Sequence, residues 1–79
     1  MLYIISGTYD QARYFAIEKG IHISKWKYIS YFDQLRGLTD FEYALTGTWW
    51  ERKDSNEIVD LINYNEELGR AKKSSFSES

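Results

Sequence analysis

The run Leu2-Tyr3-Ile4-Ile5 is apolar without a break and carries two β-branched residues. A strand with one wet face alternates apolar and polar side chains, so an unbroken run marks a strand covered on both faces, as in the middle of a parallel sheet. Parallel neighbours require crossover connections, and the next segments supply them. Ser6-Gly7 ends the run, and Thr8 with Gln11 three residues later has the form of a capping box. The helix it opens carries Ala12, Phe15 and Ala16 on one face and stops at Gly20. Trp26-Lys27-Tyr28-Ile29-Ser30-Tyr31 is short, aromatic and charged within, which fits an edge strand, and Ser30 and Asp33 are placed to cap a short helical turn ended by Gly37.

A third apolar run, Phe41-Glu42-Tyr43-Ala44-Leu45-Thr46, is broken by Gly47, and a polar loop leads to a second capping pattern, Asp54 with Glu57. The helix that follows presents Ile58, Leu61, Ile62 and Leu68 at the spacing of one buried face. Strands alternating with helices give an α/β fold, half of a Rossmann or flavodoxin-like sheet. With the most apolar strand in the middle, three parallel strands take the order 2-1-3. If the third strand were central instead, the two glycine turns would still adjoin. Residues 1–70 form the single domain. Residues 71–79 are polar and Ser-rich, too poor in apolar side chains to offset the entropy of ordering, and are expected as a flexible tail.

Composition removes several classes of function. With 79 residues the chain is one small domain, and with 10 Lys and Arg against 12 Asp and Glu it lacks the basic excess of a non-specific nucleic-acid coat. It has no cysteine and one histidine, His22, so neither a disulfide framework nor a metal centre is expected, and no cofactor is implied. No apolar run is long enough for a membrane span and no basic leader precedes one, which reads as a soluble cytoplasmic protein. Aromatic residues make up 18% of the chain, heavy for so small a core, so some rings are expected to face a ligand or a partner. A domain of this size buries only about 60% of its unfolded surface, which favours a homo-oligomer.

The chemistry concentrates in two turns of nearly the same sequence, Ser6-Gly7-Thr8-Tyr9 and Thr46-Gly47-Thr48-Trp49. In the 2-1-3 order they meet where the chain reverses its direction of travel, the crevice in which open α/β sheets hold ligands. Glycine allows close backbone approach, amides at a helix start favour an anion, and hydroxyls donate to phosphate or sugar oxygens. Gly7, Thr8, Gly47 and Thr48 are therefore expected to hold phosphate or ribose. Tyr9 and Trp49 or Trp50 would stack a base, and Arg52, with Arg13 and Lys53, would neutralise charge. Glycine followed by a capping hydroxyl is also an ordinary way to leave a strand and begin a helix, so each turn has a purely structural explanation as well. A catalytic carboxylate would have to be Glu51, because Asp54, Glu57 and Asp10 are explained by helix starts, and no nucleophile elbow or phosphate-loop lysine is present. No catalytic residue is assigned.

Tyr3-Ile4-Ile5-Ser6-Gly7-Thr8-Tyr9 with its helix, and Ala44-Leu45-Thr46-Gly47-Thr48-Trp49-Trp50-Glu51 with the last helix, together resemble a minimal nucleoside 2-deoxyribosyltransferase-like protein. In that group similar strand-end glycines line a nucleotide site. The likeness covers about half of the chain and lacks the later strands and a clear catalytic glutamate, so it implies ligand binding more than transfer chemistry. The size and layout also resemble small α/β proteins encoded by bacteriophages, some of which sequester nucleotide immune signals in the host cytoplasm. The leading expectation is non-catalytic sequestration of a nucleotide-derived molecule. The alternatives are a protein-binding inhibitor anchored by Trp49, Trp50 and Tyr31 on a host protein, and a weak nucleotide hydrolase using Glu51.

Overall fold

A computed structural model describes residues 1–78 of the chain. It contains strands β1 (Leu2–Ile5), β2 (Trp26–Tyr28), β3 (Phe41–Leu45) and β4 (Ala71–Lys73), with helices α1 (Tyr9–Glu18) and α2 (Ser55–Glu67). The sheet is parallel throughout, in the order β2-β1-β3-β4. The expected order 2-1-3 is present, and a fourth strand is added beyond β3. Among the described residues no helix is long and apolar enough to cross a membrane.

The unbroken apolar character of β1 has the expected cause. Leu2 and Ile4 pack toward α1 with Ala12, Phe15, Ala16, Trp26 and Ala44, whereas Tyr3 and Ile5 join the opposite cluster with Phe41, Tyr43, Ile58 and Ile62. The strand has no solvent face. The α1 crossover lies over one side of the sheet, and α2 covers the other together with the short turn Phe32–Leu35. In α2 the buried positions are Ile58, Ile62 and Asn65, and the Asn65 carboxamide donates to the Leu61 carbonyl at 2.7 Å. Leu68, expected on that face, is the residue that ends the helix and stays 48% exposed.

The expected tail is a correction. Residues 71–73 form β4, the Phe41 N–H donates to the Arg70 carbonyl at 2.9 Å, and the Ser74 N–H donates to the Tyr43 carbonyl at 2.8 Å. Farther on, the Leu45 N–H donates to Ser77 Oγ at 3.0 Å and the Glu78 N–H to the Leu45 carbonyl at 3.0 Å. An edge strand is held by its backbone and needs few apolar side chains, and here only Ala71 packs against the core. Lys72 and Lys73 remain exposed. Composition, which counts side chains, therefore misjudges this segment; Ser79 lies outside the described residues.

A buried tyrosine paired with an exposed glutamate makes a pH effect testable. The Tyr43 hydroxyl donates to Glu66 Oε2 at 2.8 Å, and burial, then the hydrogen bond and charge of Glu66, push the phenol well above its ordinary range. In the unfolded chain this tyrosine ionises near 10. The raised native value means its contribution is complete below about pH 10 and declines as pH rises beyond it, by up to about 1.4 kcal/mol per pH unit. Urea midpoints between pH 8 and 11 should fall less steeply in Tyr43→Phe than in the parent chain. Equal alkaline slopes would remove Tyr43 as the source.

Candidate functional site

At the carboxyl ends of β1 and β3 the two glycine turns face each other, as expected, and a side chain joins them. The Thr8 hydroxyl caps α1 by accepting from the Gln11 N–H at 3.2 Å. Gln11 does not complete the capping box. Its Oε1 accepts the Gly7 N–H at 2.8 Å and the Thr48 N–H at 3.1 Å, and its Nε2 lies 3.1 Å from the Thr48 hydroxyl. One amide from each turn thus converges on a single oxygen. Gly47 has φ of +60°, and a Cβ there would collide with Gln11 Oε1 and stand 2.8 Å from its Cδ. A Cβ on Gly7 would strike the Thr48 hydroxyl. Both glycines are thus required for the turns to approach each other.

Arg52 turns inward. Its Nε donates to Asp54 Oδ1 at 2.9 Å and its Nη2 to Oδ2 at 3.1 Å, a bidentate pair whose side chains are only 8% and 16% exposed. Nη1 donates to the carbonyls of Ser6 at 3.2 Å and Ile29 at 2.5 Å, where the chain leaves β1 and β2. The Phe32 N–H donates to Asp54 Oδ2 at 3.1 Å, so Asp54 fastens the Phe32–Leu35 turn and makes no side-chain cap of its own helix. The charge expected to meet a ligand is spent on backbone carbonyls and a carboxylate. These strand-end acceptors would otherwise lack partners.

Two clefts flank the Gln11 bridge. One, of about 470 Å³, runs beside Gly7 and is lined by Tyr28, Ser30, Tyr31, Lys53 and Glu51, with the Arg52–Asp54 pair alongside. The other, of about 480 Å³, lies between α1 and the turn after β3; Tyr14, Phe15, Glu18, Trp49, Trp50 and Glu78 line it along with Gly47 and Gln11 itself. No family model, curated protein or solved structure matches the chain.

The expected site residues are thereby divided. Gly7 and Arg52 border the first cleft, and Gly47, Trp49 and Trp50 the second. Thr8 and Thr48 stand at the bridge. Tyr9 leans on the β2 aromatics, 6.0 Å from Trp26 and 5.7 Å from Tyr28 between ring centroids. Arg13 lies on the exposed face of α1 with its guanidinium 5.9 Å from the Tyr14 ring, outside both clefts. Trp49 packs on the α2-side core while Trp50, set edge to face against it at 6.2 Å, is 60% exposed. His22 Nδ1 accepts the Ser24 N–H at 3.1 Å and so closes its own turn. Among the described residues no group of His, Cys, Asp or Glu could hold a metal. Gln11 and Asp54 are the residues that the sequence presents as caps and the structure uses as long-range connectors. The glycine four residues before Gln11 is the only local trace of the first role.

Proposed function

We propose that the chain binds a nucleotide or nucleotide-derived signalling molecule at this switch point without turning it over. The observation that carries the reading is the convergence of the Gly7 and Thr48 N–H groups on one acceptor oxygen. Backbone donors aimed at one point from two turns favour a phosphate oxygen, and Gln11 Oε1 marks the position that oxygen would take. The ligand would extend toward the Gly7 cleft, where the exposed Lys53 ammonium, beside the Glu51 carboxylate, is the cation available to a phosphate and the Tyr31 ring, 55% exposed, is available to a base. The opposite cleft carries Glu18 and Glu78 and no Lys or Arg, which disfavours an anion beside Trp49 and Trp50. Tyr9, Arg13 and Arg52 take no direct part in this arrangement. The resemblance of the two turns to nucleoside 2-deoxyribosyltransferase-like proteins implies the same ligand class. Sequestration of a defence signal by a small phage-encoded protein is the setting that suits such a module.

Gln11 supplies the test. Nucleoside mono- and diphosphates, cyclic dinucleotides and ADP-ribose are screened by thermal shift against the parent chain, Gln11→Ala and Gln11→Glu. A ligand at about 100 times its Kd adds about 2.7 kcal/mol, or roughly ten degrees or more for a domain this small. Gln11→Ala frees both amides and should show the larger shift. Gln11→Glu places a permanent carboxylate on the same donors and should show none. Equal shifts in the parent and Gln11→Glu, or none in the parent and Gln11→Ala, would sink the reading.

A further inference from the structure

The second cleft has a character of its own. Its apolar wall is built from Phe15, Trp49 and Trp50, with Tyr14, 64% exposed, at the rim. Ile17, one turn along α1 from Tyr14 and 62% exposed, continues the apolar surface. The Trp50 ring is braced edge to face by Trp49, itself packed on the core, so the aromatic face is held in place before anything binds. The two charged residues lining the cleft are both carboxylates, Glu18 and Glu78, and no Lys or Arg shares the lining. Lys19 Nζ lies 4.0 Å from Glu18 Oε1 and 5.9 Å from the centroid of the Phe15 ring, outside the lining, and the Glu18 side chain remains 77% exposed. The Glu78 carboxylate accepts the Thr46 hydroxyl and is thereby anchored at the end of β3. Preorganised aromatics beside exposed charge of one sign are the makings of a hot spot for a partner of the opposite sign.

We infer that this cleft docks a basic segment of another protein, an apolar side chain seated against Trp50 and an adjacent arginine or lysine facing Glu18. The inference does not depend on nucleotide binding, because Gly7 and Lys53 line the other cleft and the carboxylates of this one disfavour an anion. An arginine suits the site best, since its guanidinium can stack on an exposed indole and pair with a carboxylate at once. The charge supplies selectivity and encounter rate, and the aromatic face supplies most of the hold.

The probe is a fluorescein-labelled decapeptide containing three arginines around one leucine, titrated by anisotropy at two salt concentrations. Trp50→Ala and Glu18→Lys should each weaken it by about tenfold or more, the size of a hot-spot loss. Glu67→Lys, which makes the same change in net charge on the α2 side of the sheet, should leave affinity within about twofold. Changing the peptide leucine to serine should weaken binding, and changing its arginines to glutamates should abolish it. Equal losses in Glu67→Lys and Glu18→Lys would reduce the effect to overall charge and overturn the inference, as would unchanged affinity in Trp50→Ala. Light scattering on the parent chain and Trp50→Ala completes the test: a dimer that the substitution dissociates would show that a second copy covers the cleft, and would also overturn it. Trp50 is exposed, so circular dichroism of Trp50→Ala should match the parent and separate lost binding from lost fold.

Discussion

Arg52→Met is expected to lower the unfolding free energy by about 3–5 kcal/mol, the cost of removing one partner from a buried ion pair. The domain as a whole is worth about 4–12 kcal/mol at ~0.05–0.15 kcal/mol per residue, so the variant should be close to unfolded at the lower end of that range. Three losses coincide. Asp54 is left with the Phe32 N–H as its donor in place of the bidentate guanidinium, and the Ser6 and Ile29 carbonyls each lose a charged donor. Solvent can offset little of this, because both side chains are largely buried. The Tyr28 ring, 5.7 Å from the guanidinium carbon, also loses the cation beneath it. At roughly 4–8 °C per kcal/mol the melting midpoint should fall by roughly 12 °C at the least. Urea titration followed by circular dichroism measures it, and a loss below about 1 kcal/mol would show that Arg52 acts as an ordinary surface ion pair.

Gly47→Ala is expected to cost about 2–5 kcal/mol. A left-handed backbone costs a non-glycine residue about 1–2 kcal/mol, and forcing a methyl group against Gln11 adds about 1–3 kcal/mol of overpacking. Gly20 separates the two contributions. Its φ is +70°, but a Cβ there meets nothing within 4 Å, so Gly20→Ala should show the backbone cost alone. In Gly47→Ala combined with Gln11→Ala the collision with the carboxamide is removed, leaving only the Gln11 Cβ at 3.3 Å, while the Gly7 and Thr48 amides lose their acceptor. The two substitutions should therefore fail to add, with a coupling of about 0.5–3 kcal/mol readable from a double-mutant cycle in urea. Additive losses would mean that Gln11 and Gly47 do not meet. A substitution at Gly47 is thus a poor probe of ligand binding alone, because it disturbs the bridge that holds the two turns together.

Most of the architecture is legible in the sequence because it follows from local periodicity. An unbroken apolar run gives β1 its central place, and Ala12, Phe15 and Ala16 give α1 its buried face. Two paired turns after β1 and β3 locate the switch point. What is hidden depends on partners distant in the chain. Asp54 with Glu57 looks like a cap, but an arginine two residues earlier and an amide 22 residues earlier compete for the same carboxylate and win, since a bidentate ion pair outweighs a helix cap. Gln11 likewise has a local use and a better distant one in Thr48. β4 escapes notice for a different reason, its hydrogen bonds being carried by groups that every residue possesses.

That last strand also bears on how the chain survives at high concentration. β3 reads Phe-Glu-Tyr-Ala-Leu, and without Ala71–Lys73 its whole row of amides and carbonyls on one side would be open to a strand of another molecule. An apolar, unpaired strand of that kind is a template for intermolecular sheet growth. With β4 in place, the outermost strand is three residues long and presents Lys72 and Lys73, whose charges repel a like edge. The polar C-terminal stretch adds little to the core, and its value lies in what it keeps from joining the sheet: it is the chain's own guard against aggregation.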